Sequence, residues 1–227
     1  MEINLFINYY VDKRRDRHRE IVACFVNNIN NIQIDRVVVF CNKRDVDNLN
    51  LVLKGNDFCD KQIEKVVFCD FEGRPTYNEL FTKSSEYPND INIIANTDIT
   101  FESTGLDRLR SWNWKGYCIA LTRWDYITRS MDSKIVKHYN RNDSQDCWIV
   151  KGRFKQIPEA NFPLGKKGCD NRIAFLLSKY YQVINPSQTI RTFHFHLTNI
   201  RNYAPHGEEE DLIKPPYKML KPMKLPR

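Results

Sequence analysis

Ile93-Ile94-Ala95-Asn96-Thr97-Asp98-Ile99-Thr100-Phe101-Glu102 is an apolar run that stops abruptly at two polar side chains, Asn96 and Asp98. Read as a buried strand over 93–95, it delivers both to the carboxyl edge of a sheet. In open α/β sheets that edge is where ligands bind. A carboxylate there suits a divalent cation, which in turn holds a phosphorylated ligand. The same residues also suit a plain turn with a helix N-cap. The pattern on either side decides between the two.

Upstream, strands and helices alternate. Ile3–Tyr9, Arg36–Cys41, Ile63–Cys69 and Asn92–Ala95 read as strands that are apolar on both faces. Arg17–Ile29 carries Ile21, Val22, Phe25, Val26 and Ile29 at helical spacing; Val46–Leu53 and Thr76–Ser85 read as shorter helices. This alternation predicts a mostly parallel central sheet flanked by helices, a Rossmann-like α/β domain. Right-handed crossovers then place every strand's carboxyl end on one edge. That edge collects Tyr9, Tyr10 and Asp12, then Asn42, then Asp70 to Arg74, then Asn96 and Asp98. With eight glycines in the chain, neither a dinucleotide fingerprint nor a Walker loop is present, so a phosphate held through a metal is the natural substitute.

Downstream the character changes. Gly116–Leu121, Cys147–Val150, Tyr181–Ile184 and Thr189–His196 read as strands, and a helix carries Ile173, Phe175, Leu176, Leu177 and Tyr180. Part of this half is expected to form a small second sheet. Asp170 lies where a glycine-bracketed loop enters that helix, a place for an N-cap or for a general base. In Phe193-His194-Phe195-His196, strand alternation puts both imidazoles on one face, where they can ligate a metal or end a strand as satisfied histidines. From Tyr203 onward come an acidic run, Glu208 to Asp211, and then Pro215, Pro216, Pro222 and Pro226. Residues 204–227 therefore read as a linker, a flexible tail or a strap across the body. The body is expected to divide into two halves, about 1–102 and about 103–203.

The 227-residue chain is long enough for one ordinary domain, and its 13 Phe, 11 Tyr and 4 Trp supply a core. No apolar run approaches the roughly 20 residues needed to span a bilayer, and Met1-Glu2-Ile3-Asn4 does not read as a secretory signal. Seven cysteines, odd in number and without a Cys-x-x-Cys pair, predict reduced thiols, a cytoplasmic location and no cysteine zinc site. A net charge of +7 fits a phosphorylated partner. The basic cluster Lys13 to Arg19 is either a solvated helical turn or a phosphate attractor. No aromatic is interleaved with it, so nucleic acid is not the expected partner.

As a set, these features resemble the GT-A glycosyltransferases. Asn96-Thr97-Asp98 is similar to that family's Asp-x-Asp metal motif with the first aspartate replaced. Gly168-Cys169-Asp170-Asn171 is similar to its loop-to-helix motif ending in Glu-Asp, with Cys169 in place of glutamate. His196 stands where many members carry a late metal-binding histidine. Gln145-Asp146-Cys147-Trp148-Ile149, Asn185-Pro186-Ser187 and the run from His196 to Tyr203 resemble bacterial and large-DNA-virus sugar transferases, the rhamnosyltransferase type above all. The likeness spans roughly residues 3–203 and implies one GT-A domain over 1–203, with a nucleotide-binding half, about 1–102, and an acceptor half, about 103–203.

The resemblance implies a metal-dependent inverting hexosyltransferase that moves a sugar, such as rhamnose or glucose, from a UDP- or dTDP-sugar to a glycan, in the host cytoplasm if viral. Mn²⁺ or Mg²⁺ would be held by Asp98 with His196 or His194. Asp170 would act as base, with Asp146 either a rival base or a holder of donor-sugar hydroxyls. Tyr9, Asp12, Arg17, Asn42, Arg74 and Asn96 would meet the nucleotide-sugar. Trp112, Trp114 and Trp148 would stack on sugars or pack in the core. The alternatives are a nucleotidyltransferase, which would need a basic glycine-rich loop where Val11 to Arg19 has no glycine, and a non-catalytic module for nucleic acid or glycan.

Overall fold

The computed structural model describes residues 1–132, 135–198 and 212–226. In chain order the elements are β1 (Ile3–Asn8), α1 (Arg15–Asn30), β2 (Arg36–Cys41), α2 (Lys43–Lys54), a single-turn α3 (Asp60–Ile63), β3 (Val66–Asp70), α4 (Tyr77–Ser84), β4 (Ile91–Ala95) and β5 (Ile99–Phe101). There follow α5 (Ser103–Ser111), β6 (Tyr117–Leu121), β7 (Trp124–Tyr126), β8 (Val136–His138), β9 (Cys147–Lys151), α6 (Cys169–Leu177), β10 (Gln182–Ile184) and β11 (Thr192–His194). Among the described residues they build a seven-stranded sheet, ordered β10-β6-β9-β4-β1-β2-β3, and a four-stranded sheet, ordered β5-β11-β7-β8. The expected α/β architecture, with a mostly parallel sheet flanked by helices and a small second sheet, is the observed one.

The central strands are apolar on both faces because both faces are covered. Leu5, Ile7, Val37, Val39 and Ile93 meet Ile21 and Phe25 of α1, Leu49 of α2 and Leu106 of α5. The alternate residues Phe6, Val38, Phe40 and Ile94 meet Leu80 and Phe81 of α4 and Ile173 and Leu177 of α6. Trp148 is fully buried in the second layer and donates from Nε1 to the Tyr77 hydroxyl (3.2 Å). Trp114 is buried, and Trp112 packs on it at 5.0 Å between ring centres. Trp148 and Trp114 are core, Trp112 is half-buried against it, and none of the three lines the cleft described below, so they do not stack on a sugar there.

Boundaries differ from the periodicity where capping decides. The expected strand from Ile63 begins instead at Val66, because Cys59 and Gln62 close a capping box that winds 60–63 into a turn. The expected strand Thr189–His196 shrinks to three residues, since Thr189 and Ile190 hydrogen-bond back to Pro186 in a turn. β9 runs antiparallel to both neighbours, β4 and β6. The strands β5, β7 and β8 have no counterpart in the periodicity, because three residues are too few to show a repeat, and helix α5 has none either.

Residues 212–226 run as a strap over the body. Ile213 N bonds to Lys167 O (3.0 Å), Lys218 N to Asn171 O (2.9 Å) and Leu220 N to Asn142 O (2.8 Å). Asn185 accepts from Thr122 N and donates from Nδ2 to Leu220 O (2.8 Å), which ties the strap to the end of β6. The acidic run and Arg201, Asn202 and Tyr203 lie outside the described residues. No described helix is long and apolar enough to cross a membrane. All seven cysteines are free thiols, five of them buried, with Cys59 exposed and Cys69 half-buried.

Gly168, the N-cap of α6, lies directly against the strap. Its φ is +81°, and a Cβ there would lie 2.8 Å from the Ile213 carbonyl oxygen and 2.9 Å from the Tyr217 hydroxyl. Gly73 has nearly the same φ, +82°, with nothing within 4 Å. Left-handed backbone costs an alanine about 1–2 kcal/mol, or about 2–8 °C in a domain of this size. Gly73→Ala is expected to lose that much in a thermal melt, and Gly168→Ala measurably more. Equal losses would mean that the strap does not seat on the loop.

Candidate functional site

Strand register gathers the site. Ala95 at the end of β4 pairs with Cys147 at the start of β9, so Asn96 and Asp146 become neighbours, and Asn96 N bonds to Asp146 O (3.0 Å). Leu121 at the end of β6 also pairs with Cys147, which brings Arg123 to the same edge. In the small sheet His194 pairs with Ile99 of β5 and with Asp125 of β7, so His194 stands beside Asp98. Phe195 N bonds to Asp98 O (3.0 Å), and His196 follows on the same side as His194. Helix α6 presents Asp170 in its first turn, two residues beyond the N-cap, which is Gly168.

These residues open onto one cleft of about 580 Å³ at the edge of the central sheet. Asp98, Asp146, Asp170, His194, His196, Asn96, Arg17 and Arg74 all line it. Tyr9, Asp12 and Asn42 do not. Tyr9 turns into the core and its hydroxyl donates to Asn48 Oδ1 (2.6 Å). Asp12 is occupied by Arg14, which holds its carboxyl down near a pKa of about 2. Asn42 caps α2 by accepting from Asp45 N (2.9 Å). Their neighbours Asn8 and Tyr10 reach the cleft instead. The basic cluster also divides: Arg17 is buried in the cleft wall, while Lys13, Arg15 and Arg19 are exposed. Arg123, Tyr139, Arg141 and, from the strap, Leu212 and Tyr217 also line it and carried no sequence signal.

A buried alternation of charge runs through the wall. Glu20 accepts from Leu197 N and Thr198 N (2.8 Å each) and from Arg17 Nη1 (3.0 Å). Arg17 Nη2 donates to Asp98 Oδ2 (2.5 Å). His194 puts Nε2 3.2 Å from the same Asp98 oxygen and Nδ1 2.9 Å from Asp125 Oδ1. Arg123 donates from Nε to Asp125 Oδ1 (2.8 Å) and from Nη1 to Asp146 Oδ2 (3.0 Å). Asn96 Nδ2 donates to Asp146 Oδ1 (3.0 Å).

Titration follows from this wiring. Burial would raise the Asp98 pKa, but His194 and then Arg17 outweigh it, and the carboxyl stays well below the usual range. Burial opposes charge on His194, but Asp98 and Asp125 lift its pKa to about 9. Burial, with Arg17 nearby, lowers that of His196. Asp170 goes the other way: burial, and next the charge of Asp146, raise it to about 7. Its Oδ1 accepts a hydrogen bond from the Cys169 thiol (3.0 Å).

Asp98, His194 and His196 each offer a ligand atom, all within 4.8 Å of one another, so this buried group can hold a divalent cation. One carboxylate with two imidazoles suits Mn²⁺ or another transition ion better than Mg²⁺, which prefers an all-oxygen shell.

No family model matches the chain, and no curated protein sequence matches it. Among solved structures it is similar to mannose-6-phosphate isomerase from Helicobacter pylori (15% identity, TM-score 0.40, 57% of this chain and 52% of that one). It is similar also to 4-diphosphocytidyl-2C-methyl-D-erythritol synthase from Anaerococcus prevotii (12%, 0.39, 66% and 70%). A third is S. aureus TarS in complex with UDP-GlcNAc (12%, 0.41, 59% and 37%). The chain thus spans about half of the isomerase and about a third of TarS. Likeness at this level carries no argument about chemistry, which rests on the cleft.

The raised Asp170 pKa has a consequence for stability. Unfolded, the carboxyl titrates near 3.8; folded, near 7. Between those values the folded chain binds a proton that the unfolded chain releases, so stability falls as pH rises through about 7. Asp170→Asn removes the titration. The Tm difference, variant minus wild type, is expected to grow from about pH 4 to about pH 8. A difference that stays flat across that range would show that Asp170 is not the buried titrating group.

Proposed function

We propose that this chain is a GT-A-type inverting glycosyltransferase that uses a nucleotide-sugar. One observation carries the reading. A cation-competent Asp–His–His group shares a single cleft with the carboxylates of Asp146 and Asp170 and with Arg17 and Arg74, at the ligand-binding edge of a mostly parallel sheet.

Asp98, His194 and His196 would hold the cation. When bound, it supplies Lewis-acid neutralisation of the charge on a leaving diphosphate. Arg17 and Arg74 add fixed positive charge to the wall that a diphosphate would face. Asp170 accepts the proton of an acceptor hydroxyl, which then attacks the anomeric carbon from the side opposite the diphosphate. The new glycosidic bond therefore has inverted configuration. A base whose pKa lies near working pH contributes about 10²–10⁴ in rate. Asp146 is the weaker claimant, because both its oxygens are committed to Arg123 and Asn96. Its place in the wall suits holding donor-sugar hydroxyls. The donors proposed are UDP- or dTDP-sugars such as those of rhamnose or glucose, and the acceptor is a glycan.

Purified chain is expected to gain Tm with UDP or dTDP only when Mn²⁺ is present, and to lose that gain in Asp98→Ala. In a panel of UDP-, dTDP- and GDP-sugars with Mn²⁺, at least one donor should be hydrolysed or transferred. Asp170→Asn should lower turnover about 10²-fold or more while leaving the Mn²⁺-dependent nucleotide shift intact. Full turnover in that variant would transfer the base role to Asp146. No nucleotide shift and no donor turnover would reject the glycosyltransferase reading.

A further inference from the structure

The wall behind the cation group is more ordered than ligation by itself requires. Asp125 does not line the cleft; it stands behind His194, one strand over, in parallel register with it. Its Oδ1 meets His194 Nδ1 at 2.9 Å and accepts Arg123 Nε at 2.8 Å. The Arg123 guanidinium is itself fixed by Asp146 at 3.0 Å and by the Tyr139 ring, 4.1 Å from the ring centre. An imidazole can present either nitrogen by turning over about its ring axis. With Nδ1 held by Asp125, the nitrogen facing Asp98 is Nε2.

We propose that Asp125, braced by Arg123, is the positioning residue of the cation site: it fixes the orientation of His194 so that Nε2 is directed at the ion. This rests on the reading of Asp98, His194 and His196 as a cation site. Partners of this kind, carboxylates on the far nitrogen of a ligating histidine, set ring orientation and ligand basicity. Because Arg123 grips both Asp125 and Asp146, the same guanidinium joins the cation side of the cleft to the wall beside Asp170.

The test is direct metal binding by the full chain without nucleotide. Mn²⁺ affinity is measured by calorimetry, and Co²⁺ by its visible absorption bands, which report ligand geometry. Asp125→Ala is expected to weaken Mn²⁺ binding about 10–100-fold and to alter the Co²⁺ bands. Asp125→Asn keeps an accepting oxygen and should recover part of the loss; it carries the test if the alanine variant does not fold. Asp143→Ala removes a carboxylate from the cleft lining that pairs with Arg141 rather than His194, and should stay within about twofold of wild type. Wild-type affinity in both Asp125 variants overturns the inference alone. So does an equal loss in Asp125→Ala and Asp143→Ala, which would make the effect one of net charge. Wild-type chain that binds neither ion overturns the cation site and this inference with it.

Discussion

A carboxylate withdrawn from water stays charged only where a cation or several donors meet it. Four buried or half-buried carboxylates line the cleft, and three of them, Asp98, Asp146 and Asp170, are treated unequally. Asp98 is met by Arg17 and His194, and Asp146 by Arg123 and the Asn96 amide. Asp170 receives a thiol and faces the negative charge of Asp146. Asp98 is thereby fixed as an anion, and Asp170 is left able to take up a proton near neutrality. Surroundings that pull the pKa values of Asp98 and Asp170 apart in this way are what the proposed roles of cation ligand and general base require, without any difference in residue type.

That division depends on one reversed strand. β9 enters the sheet against the direction of β4 and β6, so its amino end lies at the edge where theirs are carboxyl ends. Asp146 immediately precedes it and meets residues that follow the other two, Asn96 and Arg123. Had β9 run parallel, Asp146 would sit at the opposite edge, and the Arg123 link from Asp146 to Asp125 could not form. The small sheet adds the second half of the arrangement by pairing β11 with both β5 and β7, which sets His194 between Asp98 and Asp125.

The first half of the fold was legible because its strands are buried on both faces and its helices carry a clean apolar stripe. Asp98, Asp170 and the two histidines were legible because chemistry-bearing residues broke apolar patterns at element ends. What stayed hidden was set by tertiary pairing. Arg123 and Asp125 lie in a polar stretch with no period, and their roles exist only through register with β9 and β11. Tyr9 and Tyr10 show the limit from the other side. Adjacent residues at a strand end point in opposite directions, and the sequence does not say which of them faces the core. The sequence does not choose a strap over a linker or a flexible tail for a similar reason: proline-rich chain takes its place from partners such as Asn185 and Gly168, not from its own propensity.

The two departures from the GT-A motifs acquire a physical sense in these surroundings. Asn96 Nδ2 lies 3.0 Å from Asp146 Oδ1. An aspartate at 96 would replace that donor with a second acceptor and set two carboxylates against each other, so the asparagine belongs with the aspartate at 146. Position 169 is fully buried, and its thiol lies 3.9 Å from the Tyr77 hydroxyl and 3.0 Å from Asp170. A glutamate there would bring a longer, charged side chain into the layer beneath Asp170 and add a like charge beside it. Cysteine fills the space and still donates to Asp170. The asparagine removes a carboxylate from the cleft and the cysteine one from the layer beneath it, and both leave the cation-competent group of Asp98, His194 and His196 untouched.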